Sequence, residues 1–167
     1  MSRAFVKEDE GIPEEPVKRR PSGKPNYVTP AGLDLLKARA AELAWLRAGL
    51  MSKKHPDDPR SLELRQAELD LEYYGTQIKR AILVDNRGLA AEDARFGAVV
   101  VVREPDGTVK EYKIVGEDEA DAAVGKLNWD SPLAGALLGA GAGAQVALPR
   151  KTGAIRLEII SVRYPKE

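Results

Sequence analysis

The sequence predicts an α+β chain, and three observations predict it. Between residues 29 and 84 apolar side chains recur at steps of three and four. From residue 97 the pattern changes to β-branched runs and strict alternation, and Asp-Gly and glycine-rich clusters punctuate those runs as turns. The expected architecture is an N-terminal antiparallel two-helix coiled-coil hairpin followed by a small, mostly antiparallel β domain with one short helix. Its divisions are a flexible Pro-rich arm at 1–27, a finger at 28–85, a linker at 86–96 and a C-terminal domain at 97–167.

The arm carries Pro13, Pro16, Pro21 and Pro25, acids at Glu8-Asp9-Glu10 and Glu14-Glu15, and the basic cluster Lys18-Arg19-Arg20. Such a composition buries too little apolar surface to offset the entropy of ordering it. The basic cluster suits either plain solvation or contact with phosphates.

Thr29-Pro30 opens the first helix, the hydroxyl capping free amides and the proline taking a first-turn position where its missing N–H costs nothing. Leu33, Leu36, Ala40, Leu43, Arg47 and Leu50 form one stripe of that helix, and Leu64, Ala67, Leu71, Tyr74, Ile78 and Ala81 form one stripe of a second. Two stripes joined by the short loop 52–59 meet as an antiparallel pair. Arms of about 20 residues at about 1.5 Å per residue reach roughly 30 Å, too far for a small domain to pack their tip. Leu35, Trp45, Leu46, Leu62, Leu69 and Tyr73 fall outside the stripes; some of them are expected to pack on the globular domain, whereas Trp45 and Leu46 lie far enough along the arm to face a partner. Gly75, inside the second arm, is expected where the helices approach closely. Asp85-Asn86-Arg87-Gly88 ends the finger as a turn.

In the C-terminal part, Ala98–Val102 and Val109–Val115 read as a hairpin closed by Pro105-Asp106-Gly107. Residues 116–128 read as an irregular, acid-rich segment. Ser131-Pro132 caps a short helix that Gly139 closes, and Gln145–Leu148 with Ala154–Val162 completes the sheet.

Composition narrows the chemistry. The 167 residues hold 26 Lys+Arg against 26 Asp+Glu, so no global field draws the chain to nucleic acid or an anionic membrane. The absence of cysteine removes disulfides, thiolate nucleophiles and Cys-based zinc sites, and fits a reducing cytoplasm. One histidine, His55, argues against a histidine-rich metal centre and against a hydrolase triad. No signal peptide or membrane span is evident, and a soluble cytoplasmic protein is expected.

Asp57 and Asp58 are the paired carboxylates of the finger loop. Two such groups can give a hard cation such as Mg²⁺ one or two oxygens while water and a partner complete the octahedron. Equally, Asp58 can cap the second helix and Asp57 favour its positive pole. Both roles are compatible.

Other residues carry a resemblance. Ile114-Val115-Gly116-Glu117-Asp118-Glu119-Ala120-Asp121, and then Asp130-Ser131-Pro132-Leu133-Ala134-Gly135-Ala136-Leu137-Leu138-Gly139, resemble the C-terminal signature of the GreA/GreB transcript cleavage factors. Tyr27-Val28-Thr29-Pro30-Ala31-Gly32-Leu33 and Val162-Arg163-Tyr164 are similar to the same family, so the likeness runs from about residue 27 to 164, closer to the GreB form. It implies a coiled-coil finger entering the secondary channel of bacterial RNA polymerase and an FKBP-like C-terminal domain gripping the rim. Asp130, Ser131 and Pro132 are then part of the polymerase-binding contact. Asp57 and Asp58 are the metal pair, holding a Mg ion shared with the polymerase so that backtracked RNA is cut near its nascent 3′ end. The factor stimulates the polymerase's own cleavage and is no enzyme itself; a monomer with no membrane association is expected.

The chain also departs from the family pattern. The tip lacks the family's Gly-Asp-Leu-Ser-Glu-Asn-Ala type of motif, Ala144 stands where an acid is usual, and each arm is shorter by about two turns, or roughly 10 Å. A channel-binding regulator that does not cut RNA is therefore the close alternative. A peptidyl-prolyl isomerase, with Tyr112 and Trp129 as its only aromatic lining, and a coiled-coil adaptor are the others.

Overall fold

The computed structural model describes residues 15–53 and 60–166. It contains helices and sheet in the expected order. Strand β1 (Asn26–Val28) leads into helix α1 (Pro30–Met51); helix α2 (Arg60–Arg80) returns into strand β2 (Ala81–Leu83). The sheet domain follows with β3 (Val99–Arg103), β4 (Val109–Val115), a 3-10 turn at Ala122–Val124, β5 (Lys126–Asn128), α3 (Pro132–Leu137), β6 (Gln145–Arg150) and β7 (Gly153–Arg163).

Helix α1 starts as Thr29-Pro30 dictates. The Thr29 hydroxyl accepts from the Gly32 amide at 2.9 Å with Pro30 in the first turn, and the helix ends at Ser52, whose hydroxyl donates to the Gly49 carbonyl. The stripe read from the sequence is the face turned to α2. Leu36 and Leu43 are buried, and Leu33, Ala40, Arg47 and Leu50 are half-buried, while their neighbours on the far side are exposed. Each buried leucine contributes about 2 kcal/mol. Arg47 crosses the seam to Glu68, with Nε 3.3 Å from the carboxylate.

On α2 the reading holds for Leu64 and Ala67, both buried, and then shifts. Towards the base the fully buried positions are Tyr73 and Gln77, one residue away from the expected Tyr74 and Ile78, which are half-buried. The cause is a second packing partner, the acidic segment after β4, which approaches α2 from the side. Gly75 also differs from expectation. A Cβ there would meet nothing within 4 Å, so no close helix approach requires glycine.

Helix α2 stops at Arg80, short of the expected Val84. Ala81–Leu83 instead pairs in parallel with Asn26–Val28, and the Val84 amide donates to the Val28 carbonyl. Backbone partners offered by β1 outweigh the local helical pattern here. The two helices thus grow from a small two-stranded root.

The larger sheet runs β5-β4-β3-β7-β6. All its neighbours are antiparallel except β4 and β5, which are parallel; residues 126–128, read as irregular from the sequence, are the edge strand β5. A register shift between Val101 and Val102 bends β3 against β7. Val100, Val102, Ile114, Leu127, Leu157 and Ile159 form the core under α3, which contributes Ala134 and Leu137. Residues 86–96 are fastened to this domain. Asn86 donates to the Phe96 carbonyl, Ala94 and Gly139 are joined carbonyl to amide at 2.7 Å, and the Tyr164 hydroxyl donates to the Asp93 carbonyl.

Candidate functional site

Two regions are candidates, the loop leading into α3 and the far end of the hairpin; a polar joint fixes one relative to the other.

The loop is built by capping. Ser131 has extended backbone angles and its hydroxyl accepts from the Ala134 amide at 3.3 Å, with Pro132 in the first turn of α3. Asn128 holds the chain ahead of it, its carbonyl taking the Ser131 amide and its side-chain oxygen the Asp130 amide. Asp130 and Pro132 are exposed, and the Asp130 carboxylate lies 4.0 Å from the Lys24 ammonium. Trp129 packs edge-on against Tyr27 of β1, with ring centroids 5.0 Å apart, so the loop sits beside the root of the hairpin.

The joint is the segment Glu117-Asp118-Glu119. Gln77, completely buried, donates through its side-chain amide to Glu117 at 2.6 Å and to Asp118 at 2.7 Å. The Tyr73 hydroxyl donates to the other Asp118 oxygen at 2.7 Å. Glu119, 8% exposed, accepts from the Thr29 hydroxyl, so the group that caps α1 also binds the sheet domain. Both helices are therefore locked at their bases by three consecutive acids. Burial, then the hydrogen bond to Asp118 and that carboxylate's charge, push the Tyr73 phenol well above the ordinary tyrosine range.

Close backbone approach explains two glycines. A Cβ on Gly116 would overlap the Tyr27 carbonyl, and one on Gly32 would come within 2.6 Å of Glu119 Oε2. The joint is close-packed as well as hydrogen-bonded.

Among the described residues no group of three or more acidic or histidine side chains is arranged to hold a metal. The carboxylates of Glu117, Asp118 and Glu119 are engaged by Gln77, Tyr73 and Thr29 instead. Asp57 and Asp58, with His55, lie outside the described residues; by sequence they belong to the connection between the end of α1 and the start of α2. Along the hairpin Leu35 and Trp45 are exposed, Trp45 by 83%.

Sequence reasoning missed the joint. Its signal was present in Tyr73 and Gln77, four residues apart and off the seam, and in a triple acid directly after the buried Ile114-Val115. A polar amide gives no hydropathy signal, so the periodicity passed over it.

A family model described as "Transcription elongation factor, GreA/GreB, C-term" matches residues 89–164. The transcription elongation factor GreB of Neisseria meningitidis serogroup B is 34% identical over 156 residues, covering 84% of this chain and 95% of that protein. GreA of Hyphomonas neptunium is 38% identical over 104 residues, 62% of this chain and 63% of its own length. The crystal structure of GreA factor homolog 1 (Gfh1) of Thermus thermophilus aligns with 84% of this chain and 99% of its own at 21% identity, with a TM-score of 0.39. On the near full-length match to GreB, which spans hairpin and sheet domain together, the chain belongs to the GreA/GreB family of transcription elongation factors.

Proposed function

We propose that this elongation factor binds RNA polymerase through the secondary channel and stimulates the polymerase's own cleavage of backtracked RNA. One observation carries the reading: a two-helix hairpin is rooted rigidly in a separate sheet domain. Helix α1 has 22 residues and at about 1.5 Å per residue extends about 33 Å. Its base is fastened by Thr29–Glu119 and Gln77–Asp118, so a grip on the sheet domain determines where the hairpin's far end goes.

In this reading Asp130, Ser131 and Pro132 contact the channel rim, and Asp57 and Asp58 arrive at the active centre near the RNA 3′ end. Two adjacent carboxylates are hard oxygen donors of the kind Mg²⁺ takes, and they would hold such an ion jointly with the polymerase's own groups. Asp57 and Asp58 are the residues that would help hold the ion, which when bound would supply Lewis-acid activation of a water for attack on the phosphodiester. The sheet domain is FKBP-like in this proposal, but no isomerase activity is assigned to it, because the Trp129 ring is engaged by Tyr27. A monomer acting in the cytoplasm suffices for the task.

The runner-up is a regulator that occludes the channel without cutting. The short arms and the missing Asp-x-x-Glu tip favour it. Backtracked elongation complexes separate the two. The wild-type protein should accelerate RNA cleavage, and Asp57→Asn with Asp58→Asn should lose at least about tenfold of that rate, a barrier change of about 1.4 kcal/mol, while still competing for polymerase. Pro132→Ala should raise the concentration required. Wild-type protein that slows elongation without any cleavage establishes the regulator, and full activity of the double variant removes both aspartates from the mechanism.

A further inference from the structure

Residues 16–25 lie ahead of the segment that carries the family resemblance, yet they make specific contacts with three separate parts of the molecule. At the middle of α2, the Val17 backbone and the Gln66 side-chain amide exchange two hydrogen bonds, at 2.7 and 2.9 Å. At the joint, the Arg19 guanidinium stacks on the Tyr73 ring, 4.2 Å from its centroid, and donates to the Tyr74 hydroxyl at 2.9 Å. A second guanidinium nitrogen stands 3.9 Å from Asp118, the acid that Tyr73 and Gln77 already bind. At the base, Arg80 donates to the Lys24 carbonyl at 2.7 Å, and the Lys24 ammonium faces Asp130.

We propose that residues 16–25 form a brace which fixes the angle of the hairpin on the sheet domain, with Arg19 as its positioning residue. Within the brace, Arg19 meets both α2, at Tyr73 and Tyr74, and the acidic segment, at Asp118. A planar guanidinium is suited to this, because it stacks on one ring while its edge bonds a hydroxyl and faces a carboxylate. Lysine lacks that geometry. Pro16, Pro21 and Pro25 reduce the freedom the brace loses on ordering, and Gly23, at φ +80°, supplies the bend before β1. The composition that reads as a solvated tail is here a short strap of fixed backbone with one aromatic anchor. The brace also reaches Asp130, so hairpin, joint and α3 loop share a single restraint.

The natural lack of cysteine makes the test direct. Ala48→Cys on α1 and Val124→Cys on the sheet domain are both exposed and take spin labels, and pulsed dipolar spectroscopy reads the distance between them. The labelled full chain should give one narrow distance distribution. Arg19→Ala should broaden it at least about twofold without altering secondary structure. Arg19→Lys should recover only part of the narrowing, and adding Tyr74→Phe to Arg19→Ala should broaden it no further. Should Arg19→Ala lower stability enough to confuse the reading, Gln66→Ala frees the other end of the brace and should broaden the distribution too. An unchanged width in both Arg19→Ala and Gln66→Ala overturns the proposal. No polymerase enters the measurement, so its outcome is independent of the proposed function.

Discussion

Gln77 of α2 and Asp118 of the sheet domain are joined by a 2.7 Å hydrogen bond across the boundary between hairpin and base, with the Gln77 side chain wholly excluded from solvent. The same amide also reaches Glu117 at 2.6 Å. One neutral side chain thus serves two carboxylates that would otherwise be desolvated side by side.

Gln77→Ala removes that donor and leaves both acids short of a partner. Loss of a buried hydrogen bond to charged groups costs about 2–4 kcal/mol, and chemical denaturation should show a midpoint shift of that size. A shift below about 0.5 kcal/mol would mean that water takes over both carboxylates and that the joint is looser than described.

The Tyr73 phenol yields a pH prediction. Its pKa in the folded protein is raised above the unfolded value of 10.0 by burial and by Asp118. The folded state therefore holds the proton more tightly, and the associated stability is complete below pH 10 and is lost as the pH climbs towards the folded value. Relative to Tyr73→Phe, the wild-type protein should lose its advantage above pH 10 at up to about 1.4 kcal/mol per pH unit. Paired thermal melts at pH 8 to 11 check this; a constant difference between the two proteins contradicts it.

Two glycines should respond oppositely to alanine. Gly75→Ala places a methyl in open space on α2 and should stabilise by about 0.5–1 kcal/mol. Gly116→Ala drives a Cβ into the Tyr27 carbonyl, where backbone must move, and should destabilise by about 3 kcal/mol or more. Unfolding curves of the two variants decide both signs.

How much of this was legible in the sequence depends on which physical term dominated locally. The α1 stripe from Leu33 to Leu50 follows from hydropathy alone, because that face meets mainly α2. Thr29-Pro30 and Ser131-Pro132 were legible as caps, since capping is a local interaction. Tyr73 was legible only as an off-seam residue, and Gln77 and the strands β1, β2 and β5 were not legible at all. Their partners lie far away in sequence, as with Asn26 and Ala81 or Ile114 and Leu127, and no local propensity encodes them. Arg19 was hidden for a related reason, its partners Tyr73, Tyr74 and Asp118 being 54, 55 and 99 residues away. The α3 loop was found through its resemblance to a family, whereas its support by Trp129 on Tyr27 emerged only from the fold.

The claim that the far end of the hairpin enters the polymerase is tested most directly by placing a chemical probe next to that end. Ser52, the exposed cap of α1, can be changed to cysteine in a chain that has no other, and loaded with an iron chelate that releases hydroxyl radicals. Mixed with a backtracked elongation complex, the probe should cut RNA near its 3′ end together with polymerase segments around the catalytic centre. Cuts confined to the outer surface of the polymerase, with the RNA intact, would contradict the account.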